Sequence, residues 1–468
     1  MPVPLSEINR NFGGETVMRN TVAIAASIAL MGAPFEDLSI MLTDQFRRKG
    51  DEVVKQNVSL AKAGYDYVTG HFKDLTSMHL DAVKPGGQKL IINGSEALGV
   101  AAVRAGLKFA AIYPMTPINA LITYLADHAK KYRIVYKQPE DEIAGINMAI
   151  GASLAGVRSM VATSGGGFAL MVEGLALAGM IEVPLVIDLG MRVGPATGMP
   201  TWTEQGELRF VISAGHGEFA RIVLAPGDAE EIFRVTVEAF NLADKYQIPV
   251  FILTDKYLNE SQWCVPKEVY GAPVKVERGK LVGPDELTSE SRFRRYRTDS
   301  PDGVSPRSIP GTKHGTYVAN SYEHDEVGLV TEDPALRKSM TDKRMRKLAA
   351  IASDFRPPDV YGKSDAELTF VSWGTTKGPI LEAMKILDQK GRKSRLVHFT
   401  WLYPFPSAAI EKLLRESARV IDIENNATGQ LADLIREHTG IMVAERLLKY
   451  DGRPFFPEEI VSGCERKT

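Results

Sequence analysis

Three short segments carry residue types suited to binding a planar, charged ligand. In Tyr113-Pro114-Met115-Thr116-Pro117 one threonine stands between two prolines. The rings stiffen the turn and fix where the hydroxyl points, although the same residues also read as an ordinary loop with a helix starting at Pro117. Glu140-Asp141-Glu142 opens a helical pattern. The helix dipole favours acids in a first turn, which accounts for Glu140 and Asp141. Glu142 is followed by Ala144, Gly145, Gly151 and Ala152. These leave room for a neighbouring helix or a ligand, and a carboxylate emerging there could bond a heterocyclic nitrogen. The third segment, Arg192-Val193-Gly194-Pro195-Ala196-Thr197-Gly198-Met199-Pro200-Thr201, offers a guanidinium and two hydroxyls on a shaped loop. An arginine fork matches a planar carboxylate with two parallel hydrogen bonds; a surface arginine on a turn is the plainer alternative.

Other segments are weaker. Ser164-Gly165-Gly166-Gly167 could cradle a phosphate at a helix start or simply allow close strand–helix packing. Glu323-His324-Asp325-Glu326 has the composition of a metal cluster but reads better as a solvated loop, because adjacent loop residues rarely face one ion. Cys264 and Cys464 form no CxxC pair and cannot supply the four thiolates of an iron–sulfur cluster. GxSxG, Walker A and GxGxxG patterns are missing, which disfavours hydrolase, nucleotidase and simple NAD-linked dehydrogenase readings. A formal net charge of -2 gives no reason to expect nucleic acid or an anionic membrane as partner. The apolar stretch Val22–Met31 reads as a buried helix, not a signal peptide or membrane span, so the chain is expected to be cytoplasmic.

The elements that must position these residues follow from periodicity. At 468 residues, two or three domains are expected. Residues 1–85 read as mostly helical, ending near the linker Lys84-Pro85-Gly86-Gly87. From Ile91 to about Asp255, strands alternate with helices: Lys108–Tyr113, Arg133–Lys137, Ser159–Thr163, Val183–Leu189, Arg221–Leu224 and Pro249–Thr254 are the strand-like runs. That alternation predicts an α/β unit with a parallel sheet, whose ligands bind beyond the carboxyl ends of the strands. The three segments fall at that edge. Residues 266–360 break the rhythm. A second, smaller α/β unit opens at Leu368–Trp373 and continues through Arg395–Phe399 and Arg419–Ile423.

Taken together the motifs closely resemble the α subunit of 2-oxoacid:ferredoxin oxidoreductases, especially the 2-oxoglutarate type. The resemblance covers essentially the whole chain. It rests on Asn93-Gly94-Ser95-Glu96-Ala97, Tyr113–Pro117, Ala162-Thr163-Ser164-Gly165, the Arg192–Thr201 loop, Thr203-Glu204-Gln205-Gly206 and His216-Gly217-Glu218. It implies an α/β fold: a thiamine-diphosphate-binding (pyrimidine-type) parallel-sheet domain at 86–265 and a transketolase-C-like α/β domain at 361–468. An irregular connecting region fills 266–360, and a partial, mostly helical γ-like domain occupies 1–85. The opening Pro2–Glu7 resembles the middle of the family's γ domain, which bears on coenzyme A binding in relatives.

The resemblance also implies roles. Glu142 matches the carboxylate that bonds the aminopyrimidine ring nitrogen of thiamine diphosphate, with Tyr113 and Pro114 beside the cofactor. Thr116 matches the threonine next to the thiazolium and substrate, and Arg192 and Thr201 match residues holding the 2-oxoacid carboxylate. A separate β subunit is implied to carry Mg2+, the diphosphate site and a [4Fe–4S] cluster, pairing as αβ or (αβ)₂. The implied reaction converts a 2-oxoacid, coenzyme A and oxidised ferredoxin to acyl-CoA, carbon dioxide and reduced ferredoxin. 2-Oxoglutarate is the favoured substrate. Pyruvate, a branched-chain 2-oxoacid, or a catalytically silent assembly subunit are the alternatives.

Overall fold

The apolar run after Ile181 becomes, in the computed structural model, the strand Leu185–Met191, buried at every position. Arg158–Thr163 and Pro249–Asp255 are equally enclosed, as expected of parallel strands covered on both faces. The structure describes residues 2–72, 80, 86–287 and 292–465. Lys84 and Pro85 of the expected linker, and Ser289–Ser291 in the irregular region, lie outside the described residues.

The chain divides into two compact units, residues 1–87 and 88–468. The first consists of helices Leu5–Asn11, Arg19–Leu30, Phe35–Phe46 and Asp51–His71, as the mostly helical reading anticipates. Val22, Ala25, Leu60 and Ala61 are fully buried between them. One polar pair sits in that interior and is satisfied: Thr21 Oγ1 donates to Asn57 Oδ1 at 2.9 Å.

In the second unit a seven-stranded sheet runs in the order Trp401–Tyr403, Ile222–Leu224, Pro249–Asp255, Leu185–Met191, Arg158–Thr163, Leu107–Ala111, Val135–Lys137. Its pairings are parallel except at Trp401–Tyr403, an antiparallel edge. A five-stranded sheet has the order Glu445–Leu448, Val420–Glu424, Leu368–Trp373, Ser394–Phe399, Asp359–Gly362, the last antiparallel. The chain leaves Phe399 in the second sheet and enters the first at Trp401, where Ala225 N–H donates to Thr400 O at 2.8 Å. The two sheets share one core: Phe168, Leu189 and Phe251 pack in the same cluster as Val371, Trp373 and Phe399. Lys89–Asn93 and Gln262–Pro266 form a separate antiparallel pair.

Asn93-Gly94-Ser95-Glu96 is a capping box. Asn93 Oδ1 accepts from Glu96 N–H at 2.8 Å, and Glu96 Oε2 from Asn93 N–H at 3.1 Å. Residues 266–360 contain an 18-residue helix, Pro334–Ile351, capped by Asp333. Buried Glu182 pairs with Lys343 and, at 2.6 Å, with Lys347 from that helix. Glu323-His324-Asp325-Glu326 is not a solvated loop. His324 is buried, Glu323 Oε2 pairs with Arg344 at 2.8 Å, and Glu326 with Arg294 at 2.5 Å.

Candidate active site at the carboxyl edge of the seven-stranded sheet

The loops after Leu107–Ala111, Val135–Lys137, Arg158–Thr163 and Leu185–Met191 converge at the carboxyl edge of their sheet. Asp141 takes an extended conformation and caps the helix Glu142–Leu154, its Oδ1 accepting from Ala144 N–H at 2.7 Å. That cap turns the next residue inward. Glu142 is 3% exposed, whereas Glu140 is exposed. Its Oε1 is buried without a hydrogen-bond partner, and so is Thr163 Oγ1 at the end of the strand Arg158–Thr163. Both atoms crowd the space over Gly167, where an added Cβ would overlap Thr163 Oγ1 and come within 2.5 Å of Glu142 Oε1. The glycine lets the helix start close onto two unmet hydrogen-bonding atoms, a donor set that fits a heterocycle presenting ring nitrogen and amino groups.

Thr116 and Arg192 are brought together. Arg192 Nη1 donates to Thr116 O at 3.0 Å, and the Thr116–Pro117 peptide is cis. Pro117 packs on Gly190, whose missing Cβ would lie 2.9 Å from Pro117 Cγ. Ser164 Oγ donates to Met115 Sδ, tying the Tyr113–Pro117 turn to the start of the helix Gly165–Met180. Tyr113 is half-buried and Pro114 exposed on that turn. Thr201 is exposed at the far end of the Arg192 loop and makes no hydrogen bond to Arg192 or Thr116 among the described residues. The loop closes on itself through Met199 N–H to Val193 O at 3.1 Å.

Three acidic residues were given no role in the sequence reading of the site. Glu204 Oε2 accepts from Gly194 N–H at 3.0 Å. Glu207 Oε2 is sealed from solvent without a partner, and a side chain at Gly165 would overlap its Oε1. Burial, reinforced by Glu204 and opposed by Arg192 and by the backbone N–H groups of Glu207 and Gly206, pushes the Glu207 carboxyl up to about 8. Asp188, within the buried strand, is pushed up to about 7 by burial, opposed by the Thr254 hydroxyl that donates to it at 2.9 Å. An acid inside an otherwise apolar run was the one local signal of Asp188; Glu207 had none.

The five-stranded sheet fixes the acidic segment. Gln205 Nε2 donates to Trp373 O at 2.8 Å, Gln205 Oε1 accepts from Asn425 N–H at 2.9 Å, and Thr203 N–H donates to Gly452 O at 2.9 Å. Among the described residues no group of three or more His, Cys, Asp or Glu could hold a metal ion. With Cys264 exposed and Cys464 buried in a different part of the unit, the donor set does not fit an iron–sulfur cluster.

The family model described as "Pyruvate flavodoxin/ferredoxin oxidoreductase, thiamine diP-bdg" matches residues 100–343, just over half the chain. The 2-oxoacid:ferredoxin oxidoreductase subunit alpha of Saccharolobus solfataricus is 37% identical over 465 residues, covering 96% of this chain and 71% of the relative. The chain belongs to the 2-oxoacid:ferredoxin oxidoreductase α-subunit family. Two further models of the family match, "Pyruvate ferredoxin/flavodoxin oxidoreductase" at residues 1–67 and "Pyruvate:ferredoxin oxidoreductase core domain II" at 366–460. A relative in Archaeoglobus fulgidus, the 2-oxoglutarate synthase subunit KorA, is 32% identical over 80% of this chain and 98% of its own length. The solved 2-oxoglutarate:ferredoxin oxidoreductase from Magnetococcus marinus, with 2-oxoglutarate, coenzyme A and succinyl-CoA bound, is 32% identical. It superimposes with a TM-score of 0.91, covering 99% of this chain and 80% of that one. The seven-stranded sheet is thus the thiamine-diphosphate-binding domain of the family, and the protein is an oxidoreductase.

Proposed function

We propose that this chain is the catalytic α subunit of an enzyme that oxidatively decarboxylates 2-oxoglutarate with coenzyme A, giving succinyl-CoA, carbon dioxide and reduced ferredoxin. The observation that carries the reading is the pair of buried, unpartnered atoms, Glu142 Oε1 and Thr163 Oγ1, packed against Gly167 at the sheet edge that also bears the Arg192–Thr116 contact. When bound, thiamine diphosphate supplies the nucleophilic carbon and the electron sink that let a 2-oxoacid lose carbon dioxide. Glu142 would accept a hydrogen bond from the aminopyrimidine ring and hold a proton at its ring nitrogen, and Tyr113 and Pro114 would help to hold the ring. Thr116 would help to hold the substrate next to the reacting carbon. Arg192, steadied by Thr116 O, pairs with the substrate carboxylate, and Thr201 supports it once the loop engages substrate.

In this reading residues 86–265 form the pyrimidine-binding part, 266–360 the connection, 361–468 the transketolase-C-like part and 1–85 a γ-like segment. A β subunit completes the site with the diphosphate, Mg2+ and a [4Fe–4S] cluster, and the assembly works in the cytoplasm. The names of the Archaeoglobus fulgidus and Magnetococcus marinus proteins support 2-oxoglutarate. Pyruvate, which stands in the descriptions of the family models, is the competitor. The test is viologen reduction by this chain co-expressed anaerobically with its β subunit, with thiamine diphosphate, Mg2+ and coenzyme A, over a panel of 2-oxoacids. Coenzyme-A-dependent turnover that prefers 2-oxoglutarate supports the reading. A preference for pyruvate or a branched 2-oxoacid replaces the substrate, and silence from a complex carrying its cluster removes the catalytic role.

A further inference from the structure

The loop that carries Arg192 leaves the seven-stranded sheet at Met191, yet the segment that ends it is anchored on the five-stranded one. Gln205 is fully buried, and both ends of its amide are used. Its Nε2 donates to Trp373 O at 2.8 Å and its Oε1 accepts from Asn425 N–H at 2.9 Å. The backbone is bound there too: Gln205 N–H donates to Asn425 O at 2.7 Å, and Gln205 O accepts from Asn426 Nδ2 at 3.2 Å. Gly374 makes room for the amide, since an added Cβ would lie 2.6 Å from Gln205 Nε2. A second glutamine does the same for the residues that follow. Gln430 Nε2 donates to Gly206 O at 2.8 Å, and its Oε1 accepts from Arg209 N–H at 2.9 Å. A buried amide with donor and acceptor both met fixes the chain it bridges in one orientation.

Links run from this anchor back to Arg192. Glu204 Oε2 accepts from Gly194 N–H at 3.0 Å, two residues beyond the arginine. Thr203 N–H donates to Gly452 O at 2.9 Å. Gly452 itself lies against the loop, where an added Cβ would be 2.9 Å from Trp202 Cβ, 3.3 Å from Val193 Cγ2 and 3.4 Å from Met199 Cε. We propose that Gln205 is a positioning residue for substrate binding: it seats the Arg192 loop on the five-stranded sheet and so holds the guanidinium where the 2-oxoacid carboxylate binds. The inference rests on the 2-oxoacid reading above. A loop released from its anchor is competent to bind for only a fraction of the time, and apparent affinity falls by that fraction. These bonds do not involve Glu142 or Thr163, so cofactor affinity stays as it is.

The assembled complex of Gln205→Met, which keeps the side-chain length and removes the amide, should be compared with wild type. The readouts are KM and kcat for the preferred 2-oxoacid, the thiamine diphosphate Kd, and amide hydrogen exchange followed by mass spectrometry. The expected result is a KM raised by roughly tenfold or more, the value for a loop competent a tenth of the time. The kcat should stay within a few-fold, the cofactor Kd should not move, and exchange over residues 192–202 should be faster. An unchanged KM, or a cofactor Kd that rises as much as KM, overturns the inference, the second because it marks general damage to the site. If Gln205→Met does not assemble, the Glu204 bridge decides. Glu204→Ala should raise KM, and Glu204→Gln, which keeps an acceptor for Gly194 N–H, should restore it; equal KM in the two overturns the inference. Absence of wild-type turnover with any 2-oxoacid removes the parent reading, whereas unaltered exchange over 192–202 in Gln205→Met removes this one alone.

Discussion

A buried polar atom left without a partner costs roughly 1–3 kcal/mol, and Glu142 Oε1 and Thr163 Oγ1 carry that cost side by side. Such a pair is preorganised for a ligand that supplies the missing bonds. Gly167 lets the helix pack directly on both side chains, so Gly167→Ala should push Thr163 and Glu142 out of place and weaken thiamine diphosphate binding. Overpacking by one methyl costs about 1–3 kcal/mol, or roughly 5- to 150-fold in Kd. A titration of the assembled complex with thiamine diphosphate measures it, and an unchanged Kd would place the cofactor elsewhere. At this scale the sequence was partly legible. Glu142 stood out because it is followed by small residues, and Arg192 because glycines and prolines surround it. Thr163 and Glu207 did not, since their isolation depends on residues brought in from other strands and loops.

At the scale of elements, the helix Pro334–Ile351 lies in a region that reads as irregular because its sequence, PALRKSMTDKRMRKLAAI, carries little apolar periodicity. It is held by charge. Lys343 and Lys347 converge on Glu182, all three buried. Burial alone raises the Glu182 carboxyl, but Lys343, Lys347 and Arg295 outweigh it and hold it well below the usual carboxylate range. Glu182→Gln strands two buried ammonium groups and should lower stability by roughly 3–5 kcal/mol. A drop in the urea midpoint with an unchanged slope would register it. The sign with pH follows. A depressed folded carboxyl contributes fully above its ordinary value of about 4.3 and loses that contribution as pH falls. Wild-type stability therefore falls more steeply on acidification than that of Glu182→Gln; parallel acid curves would contradict this account. Regular parallel strands were legible from apolar runs. The short antiparallel edges Asp359–Gly362 and Trp401–Tyr403 were not, because edge pairing is decided by what lies across the sheet rather than by local pattern.

At the scale of the whole molecule, the second unit reads in sequence as two α/β parts separated by a long connection, and the structure gives those parts a common core. Gln205 is where this matters for the site, since its side chain bonds Trp373 and Asn425 of the five-stranded sheet. Glu204 and Glu207 flank it in sequence, so the C-terminal sheet fixes the segment that carries them. No periodicity argument could reach that coupling, which joins residues more than 160 positions apart. Among the described residues no helix is long and apolar enough to cross a membrane. The central claim is that Glu142 engages the cofactor, and the most direct measurement is thiamine-dependent viologen reduction by the Glu142→Gln chain assembled with its β subunit. The account predicts intact assembly and a loss of turnover of roughly 10²- to 10⁴-fold, the range contributed by a positioned proton-transfer group. Activity within a few-fold of wild type would contradict it.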